Sequence, residues 1–202
     1  MKLYYAPAAC SLAPHIVLRE AGLPFTLHKV DTERHLTADG ADYYAINSKG
    51  QVPLLELDDG ARLSEGPVIA QFIADTAQAS SLMPAAGTRE RYRVMEWQNY
   101  VSTELHKAYT PIFTPGLDAE AKRTLAARLR KKYEWLETQL DGKAYLTGDA
   151  FTAADAYLFA VTGWARFVQL ELGDLANLQA FMRRVAQRPA VRDAMRAEGL
   201  LA

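Results

Sequence analysis

Cysteine is nearly absent: among 202 residues only Cys10 carries a thiol. An intramolecular disulfide is therefore impossible, as is a metal site built on two cysteines, and this usage fits a reducing compartment. Charge of one sign is also missing. With 23 Lys and Arg against 24 Asp and Glu the formal net charge is −1, so there is no cationic excess to neutralise the phosphates of a nucleic acid or an anionic membrane. The densest basic runs, 128–132 and 183–188, are interleaved with apolar residues at helical spacing and read as solvated helix faces. Long apolar runs are lacking as well. No stretch approaches the ~18 residues of a membrane span, and the start Met-Lys-Leu-Tyr-Tyr-Ala-Pro has no signal-peptide core. A cytoplasmic protein is expected, and with half its residues hydrophobic it has the composition of an ordinary globular chain with a real core.

The pattern changes along the chain. Lys2 to Tyr5 is a strand candidate, Leu12 to Ala21 has helical spacing and stops at Gly22, and Phe25 to Val30 is a second strand candidate. Asp31 to Gly50 reads as a loop. Leu54 to Leu63 reads as a hairpin around Asp58-Asp59-Gly60, and Ser64-Glu65-Gly66-Pro67 opens a helix with Ile69, Phe72 and Ile73 on one face. Strands then disappear. Helices are expected over 89–109, 119–141, 152–169 and 176–187, with a short one after Pro189. The organisation predicted is an α/β domain over 1–78, a linker over 79–88 and an all-α domain over 89–202. Thr152-Ala153-Ala154-Asp155 has the form of a capping box, a folding signal rather than a site.

Cys10 falls between the first strand and the first helix. A thiol at a helix start faces free amides and the positive end of the dipole, both of which favour thiolate, so a lowered pKa is expected there; the plainer reading is a small buried hydrophobe. A Cys-x-x-Cys motif would need its second thiol at position 13, which is Ala13, so any disulfide must be with an outside thiol. In the helix over 89–109, Trp97, Val101, Leu105 and Ala108 form an apolar stripe, and Asn99, Ser102, Thr103, His106 and Lys107 gather opposite. That polar face is either simply solvated or it binds a polar ligand, with His106 able to exchange a proton near neutral pH. Glu104 lies among apolar neighbours, where a carboxylate needs a partner from a ligand or a second subunit. Gln51-Val52-Pro53 precedes a strand, where a cis Pro53 would open the backbone to a ligand. Glu65 and the helix start beside it offer a carboxylate for an ammonium and amides for an anion, unless they serve only as a cap.

The segments Lys2-Leu3-Tyr4-Tyr5 through Ala9-Cys10-Ser11-Leu12, Gln51-Val52-Pro53, Ser64-Glu65-Gly66-Pro67, Glu104-Leu105-His106-Lys107 and Thr152 to Phe159 together resemble a bacterial glutathione S-transferase of the beta class, nearly end to end. The resemblance implies a thioredoxin-like N-terminal domain, an all-α C-terminal domain and a detoxifying homodimer that joins glutathione to hydrophobic electrophiles without a metal. It places the glutathione sulfur by Cys10, the cysteinyl backbone on Val52 before a cis Pro53, and the γ-glutamyl end on Glu65 and Gly66. Asn99, Thr103, Glu104 and His106 match ligand positions, some reaching across the dimer, with Lys107 beside them. His35 stands where many relatives have a lysine for the glycyl carboxylate, with Arg34 next to it. Catalytic roles fall to Cys10 and His106. Mixed-disulfide chemistry at Cys10 is expected beside conjugation; the alternatives are a glutathione-dependent thiol-disulfide reductase and a non-catalytic ligand-binding protein of the same fold.

Overall fold

The computed structural model describes residues 1–201. Strand β1 (Lys2–Tyr5) buries Leu3, Tyr4 and Tyr5 in succession, the pattern of a central strand covered on both faces. It pairs in parallel with β2 (Thr26–Asp31), Leu3 opposite Leu27, and antiparallel with β4 (Leu54–Glu56), Leu3 opposite Leu55. Strands β3 (Leu36–Thr37) and β5 (Arg62–Ser64) form the edges, giving the order β3-β2-β1-β4-β5. The parallel crossover runs through α1 (Leu12–Glu20), which ends before Gly22 at φ +67°, a conformation that costs glycine nothing. Helix α3 (Gly66–Thr76) packs on α1 through Ile69 and Ile73, and this is the expected thioredoxin-like arrangement.

Residues 31–50, expected as plain loop, are folded. They hold β3 and the helical turn α2 (Tyr43–Ile46), capped where Asp42 accepts from the Tyr44 amide at 2.9 Å. Tyr43 is fully buried and its hydroxyl donates to the Gln51 carbonyl at 2.9 Å. Elements this short leave no periodic trace, so tertiary contacts decide them.

The second half is helical. Helix α4 (Arg89–Tyr100), capped by Thr88, gives way to a π-helical turn over Val101–His106 and then to α5 (Lys107–Phe113). The helix expected over 89–109 is therefore broken at its functional face. A π turn takes an extra residue, so the buried stripe runs Val94, Gln98, Val101, Leu105 and then Tyr109, where an unbroken helix would have used Ala108. Helix α6 (Ala119–Gln139), capped by Asp118, buries Leu129, Tyr133 and Leu136. The central α7 (Ala153–Thr162) is buried on every side and yields to a 3-10 turn over Gly163–Phe167, so it is shorter than the expected 152–169. Helices α8 (Ala176–Ala186) and α9 (Pro189–Ala197) close the chain.

The two halves are locked together. Helix α1 packs on α7 and α9, Arg188 forks onto Glu20 at 2.6 and 2.9 Å, and Arg91 of α4 forks onto Asp75 of α3 at 2.7 and 2.8 Å. Two-pronged guanidinium pairs of this kind fix orientation as well as adding energy.

Candidate active site

The loop from β1 to α1 is pinned from within and from the helical half. Ser11 Oγ lies 3.2 Å from both the amide and the carbonyl of Ala6. Ala8 sits at φ +61°, a conformation that an L-residue keeps only when its surroundings impose it. Its amide donates to Glu198 Oε2 at 3.1 Å, and its carbonyl accepts from Trp164 Nε1 at 2.7 Å. Glu198 is held in turn by buried His15, whose Nδ1 donates to Oε1 at 2.8 Å because its Nε2 already accepts from Arg19 Nε at 2.9 Å. The Cys10 loop thus takes its shape from residues more than 150 positions away.

Cys10 does not have the lowered pKa expected of it. Burial pushes the thiol up to about 11, outweighing the Cys10 and Ser11 amides and the Lys107 ammonium, which act the other way. Ser11 is the helix cap, so Cys10 stands one residue outside it, and the dipole fades within a turn. The neutral thiol donates to the Val52 carbonyl at 3.4 Å.

Cys10 opens onto a cleft of about 440 Å³ between the two halves, a volume suited to a small molecule. Val52 and Pro53, joined by a cis peptide, form one wall; Glu65 and Gly66 form another, and His106 and Lys107 close it from the π turn and α5. Glu65 makes no side-chain capping bond to α3, so the plain capping reading fails. It sits at φ +69°, and its carboxylate accepts from Lys49 Nζ at 2.7 Å, which holds its pKa below the ordinary range. Lys49 also donates to Ser64 Oγ at 2.8 Å.

His35 lines the cleft too, but both its ring nitrogens are occupied. Nδ1 lies 3.2 Å from the Gly50 carbonyl and Nε2 3.1 Å from the Tyr44 hydroxyl, with the His35 and Tyr44 rings 4.4 Å apart. Gly50 has to be glycine here, since a Cβ would fall 2.8 Å from His35 Nδ1. Arg34 pairs with Asp31 at 3.9 Å and does not line the cleft, whereas Lys49 does.

His106 does not titrate near neutral pH, contrary to expectation. Burial, and then the neighbouring Lys107, push it down to about 4, so the imidazole is neutral at pH 7. Its Nδ1 lies 2.7 Å from Tyr157 Oη. Asn99, Thr103 and Glu104 do not line the cleft of their own chain. Asn99 and Thr103 are exposed, while Glu104 pairs with Lys132 Nζ at 2.7 Å, so the partner it needs comes from the same chain. Ser102 of the expected polar face lines the cleft, and so do Lys49 and Tyr157, which nothing in the sequence marked as site residues. Tyr157 reads as core in a helix apolar all round, and Lys49 lies in a segment without periodicity. Among the described residues no cluster has the make-up of a metal site, and no helix is long and apolar enough to cross a membrane.

A thioredoxin-like domain with a thiol, a carboxylate and a helix start around one cleft, backed by an all-α domain, defines an enzyme of the glutathione-using class. Residues 9–76 match the family described as glutathione S-transferase, N-terminal domain, and residues 100–189 match its C-terminal domain. The chain is 48% identical to glutathione S-transferase GstA of Escherichia coli O157:H7, over 99% of this chain and 100% of that one. Its structure is similar to a ternary complex of BphK, a bacterial glutathione S-transferase, with TM-score 0.96 and 48% identity over 99% of this chain and 100% of that one. It is similar also to a beta-class enzyme of Sphingomonas chungbukensis, with TM-score 0.95 and 42% identity over the whole of both chains. The chain belongs to the glutathione S-transferase family and is a glutathione transferase of the bacterial beta type, with glutathione as its co-substrate.

Proposed function

We propose that the Cys10 cleft binds glutathione with its γ-glutamyl ammonium on Glu65, its α-carboxylate toward the Gly66 amide and Lys49, its cysteinyl backbone on Val52 and its sulfur between Cys10 and His106. The observation that carries this is Glu65, held ionised by Lys49 at the first turn of α3 on the wall of the cleft that Cys10 enters. Together they present a carboxylate, an ammonium and free helix amides, the complement of an amino-acid end. A relative from a sphingomonad, similar at TM-score 0.95, was solved in complex with glutathione, which supports the reading. Asn99 and Thr103, exposed and outside their own cleft, serve the partner's site in a homodimer, and an apolar electrophile is the second substrate. A cytoplasmic setting is part of this reading, since a single thiol fits a reducing compartment.

The neutral Cys10 favours conjugation over thiol-disulfide exchange, because exchange requires a thiolate. A neutral thiol instead donates a hydrogen bond to the glutathione thiolate, which attacks the electrophilic carbon and expels the leaving group. Intact-mass analysis after incubation with glutathione disulfide tests this division of labour. One glutathionyl group per chain is expected, absent in Cys10→Ala, and formed about tenfold faster per pH unit between about pH 7 and 10, below the thiol's own titration. Conjugation by Cys10→Ala should survive. Rapid, pH-independent labelling at neutral pH would contradict a neutral Cys10.

His35 is proposed as a weak partner for the glycyl carboxylate, since its one N–H, on Nδ1, is spent on the Gly50 carbonyl and its Nε2 accepts from the Tyr44 hydroxyl. His35→Lys should lower the glutathione KM by about threefold to tenfold, as a charge-assisted bond is gained in a partly exposed site. An unchanged or higher KM would place the glycyl end elsewhere.

A further inference from the structure

We propose that Tyr157 fixes His106 as the Nε2–H tautomer, so that His106 serves the reacting sulfur as a hydrogen-bond donor and not as a base. Tyr157 lies on α7, buried, with its hydroxyl 2.7 Å from His106 Nδ1. A buried phenol needs an acceptor for its one proton. Burial pushes the Tyr157 pKa above its ordinary value, so that proton is always present. His106 Nδ1 is the acceptor that lies at hydrogen-bond distance from it.

Two arrangements meet the distance. In one, Tyr157 donates to Nδ1 and the imidazole proton sits on Nε2. In the other, Nδ1–H donates to the phenol oxygen, and that pairing is disfavoured because the phenol O–H is a far stronger acid than a neutral imidazole N–H and the bare imidazole nitrogen is the stronger base. Whichever ring nitrogen is engaged decides where the other's proton sits.

The remaining surroundings offer no rival. Trp164 meets the imidazole edge-on at 4.7 Å but gives its N–H to the Ala8 carbonyl. The charged groups that act on His106 are Lys107 beside it and Glu65, which oppose each other, while Cys10 opposite Tyr157 is a neutral thiol. The imidazole is therefore uncharged, with one N–H, and that N–H is on the nitrogen Tyr157 leaves free. On the proposed placement of the glutathione sulfur, on which this role rests, the thiol proton leaves to water. His106 then holds the thiolate that remains through Nε2–H. Tyr157 is a positioning residue and acts only through His106.

Nitrogen-15 NMR of the full chain labelled at histidine reads the tautomer directly. There are four histidines, and His106→Asn identifies the relevant signals by their loss. The expected spectrum has Nε2 protonated and Nδ1 bare from about pH 5.5 to 8, with both shifting when glutathione is added. In Tyr157→Phe the Nδ1–H form should appear and kcat for conjugation should fall about tenfold, with the glutathione KM within about twofold of the parent. A wild-type spectrum with Nδ1–H, an imidazolium forming near the ordinary ~6.5, or a Tyr157→Phe enzyme unchanged in tautomer and kcat would overturn the proposal. The wild-type spectrum decides alone if that variant does not fold. His106 signals unmoved by saturating glutathione would remove the sulfur contact, and with it the proposed orientation in the cleft, while the tautomer is still read in the free enzyme.

Discussion

Asp155→Ala is expected to lower the thermal midpoint by roughly 6–12 °C while leaving the glutathione KM nearly unchanged in whatever folded enzyme remains. Asp155 is fully buried at the start of α7. Its Oδ1 accepts from the Leu146 amide, and its Oδ2 accepts from the amide and hydroxyl of Thr152, each at 2.8 Å. Burial pushes the carboxyl up to about 6 against these three donors, so at neutral pH it is ionised and accepting from all of them. Alanine removes the Asp155 half of the capping box around Thr152 and leaves two buried amides without an acceptor, a loss of about 3 kcal/mol, and a chain of this size loses about 2–4 °C per kcal/mol. Asp155→Asn, which keeps acceptor capacity on one oxygen only, should fall between. A midpoint within about 2 °C of the parent would show that water replaces the carboxylate and that the box is not a main support of α7.

Glu65→Gln should raise the glutathione KM at least about tenfold, because removing the charged partner of an ammonium costs roughly 1.5–3 kcal/mol. Stability should hardly move. The Lys49 and Glu65 side chains are 46% and 68% exposed, and ion pairs so open to solvent contribute little to folding. Glutamine rather than alanine keeps the side-chain volume at a residue already held at φ +69°. Titration of initial rates with glutathione, set beside a thermal melt, separates the two roles. A large loss of stability with an unchanged KM would make Glu65 a structural feature of the α3 start and nothing more.

What the sequence discloses follows from how far each cause reaches along the chain. Helix α1 and its Gly22 stop, the β4–β5 hairpin, the Pro67 helix start and the Thr152 box are written within a few residues of themselves, and each is found where its signal lies. The π turn is not legible, because Val101 and Leu105 suit both an unbroken helix and a widened one, and only the burial of Tyr109 tells them apart. The chemistry of Cys10 misleads for a related reason. Its place before a helix is visible and argues for thiolate, while the burial that outweighs it comes from contacts that only the folded chain makes. Lys49 and Tyr157 matter through what they touch, Glu65 and His106, at separations of 16 and 51 residues. Nothing local to either residue marks it.

The central claim is that this cleft holds glutathione as a thiolate, with the sulfur supplied by the ligand and not by Cys10. The ultraviolet absorbance of bound thiolate, followed against pH in Cys10→Ala so that glutathione contributes the only titrating thiol, tests it most directly. A bound thiol that titrates at least about one unit below the ~8.5 of a free cysteine is predicted, because the donors around it favour the charged form. A bound thiol that titrates at or above ~8.5 would contradict it.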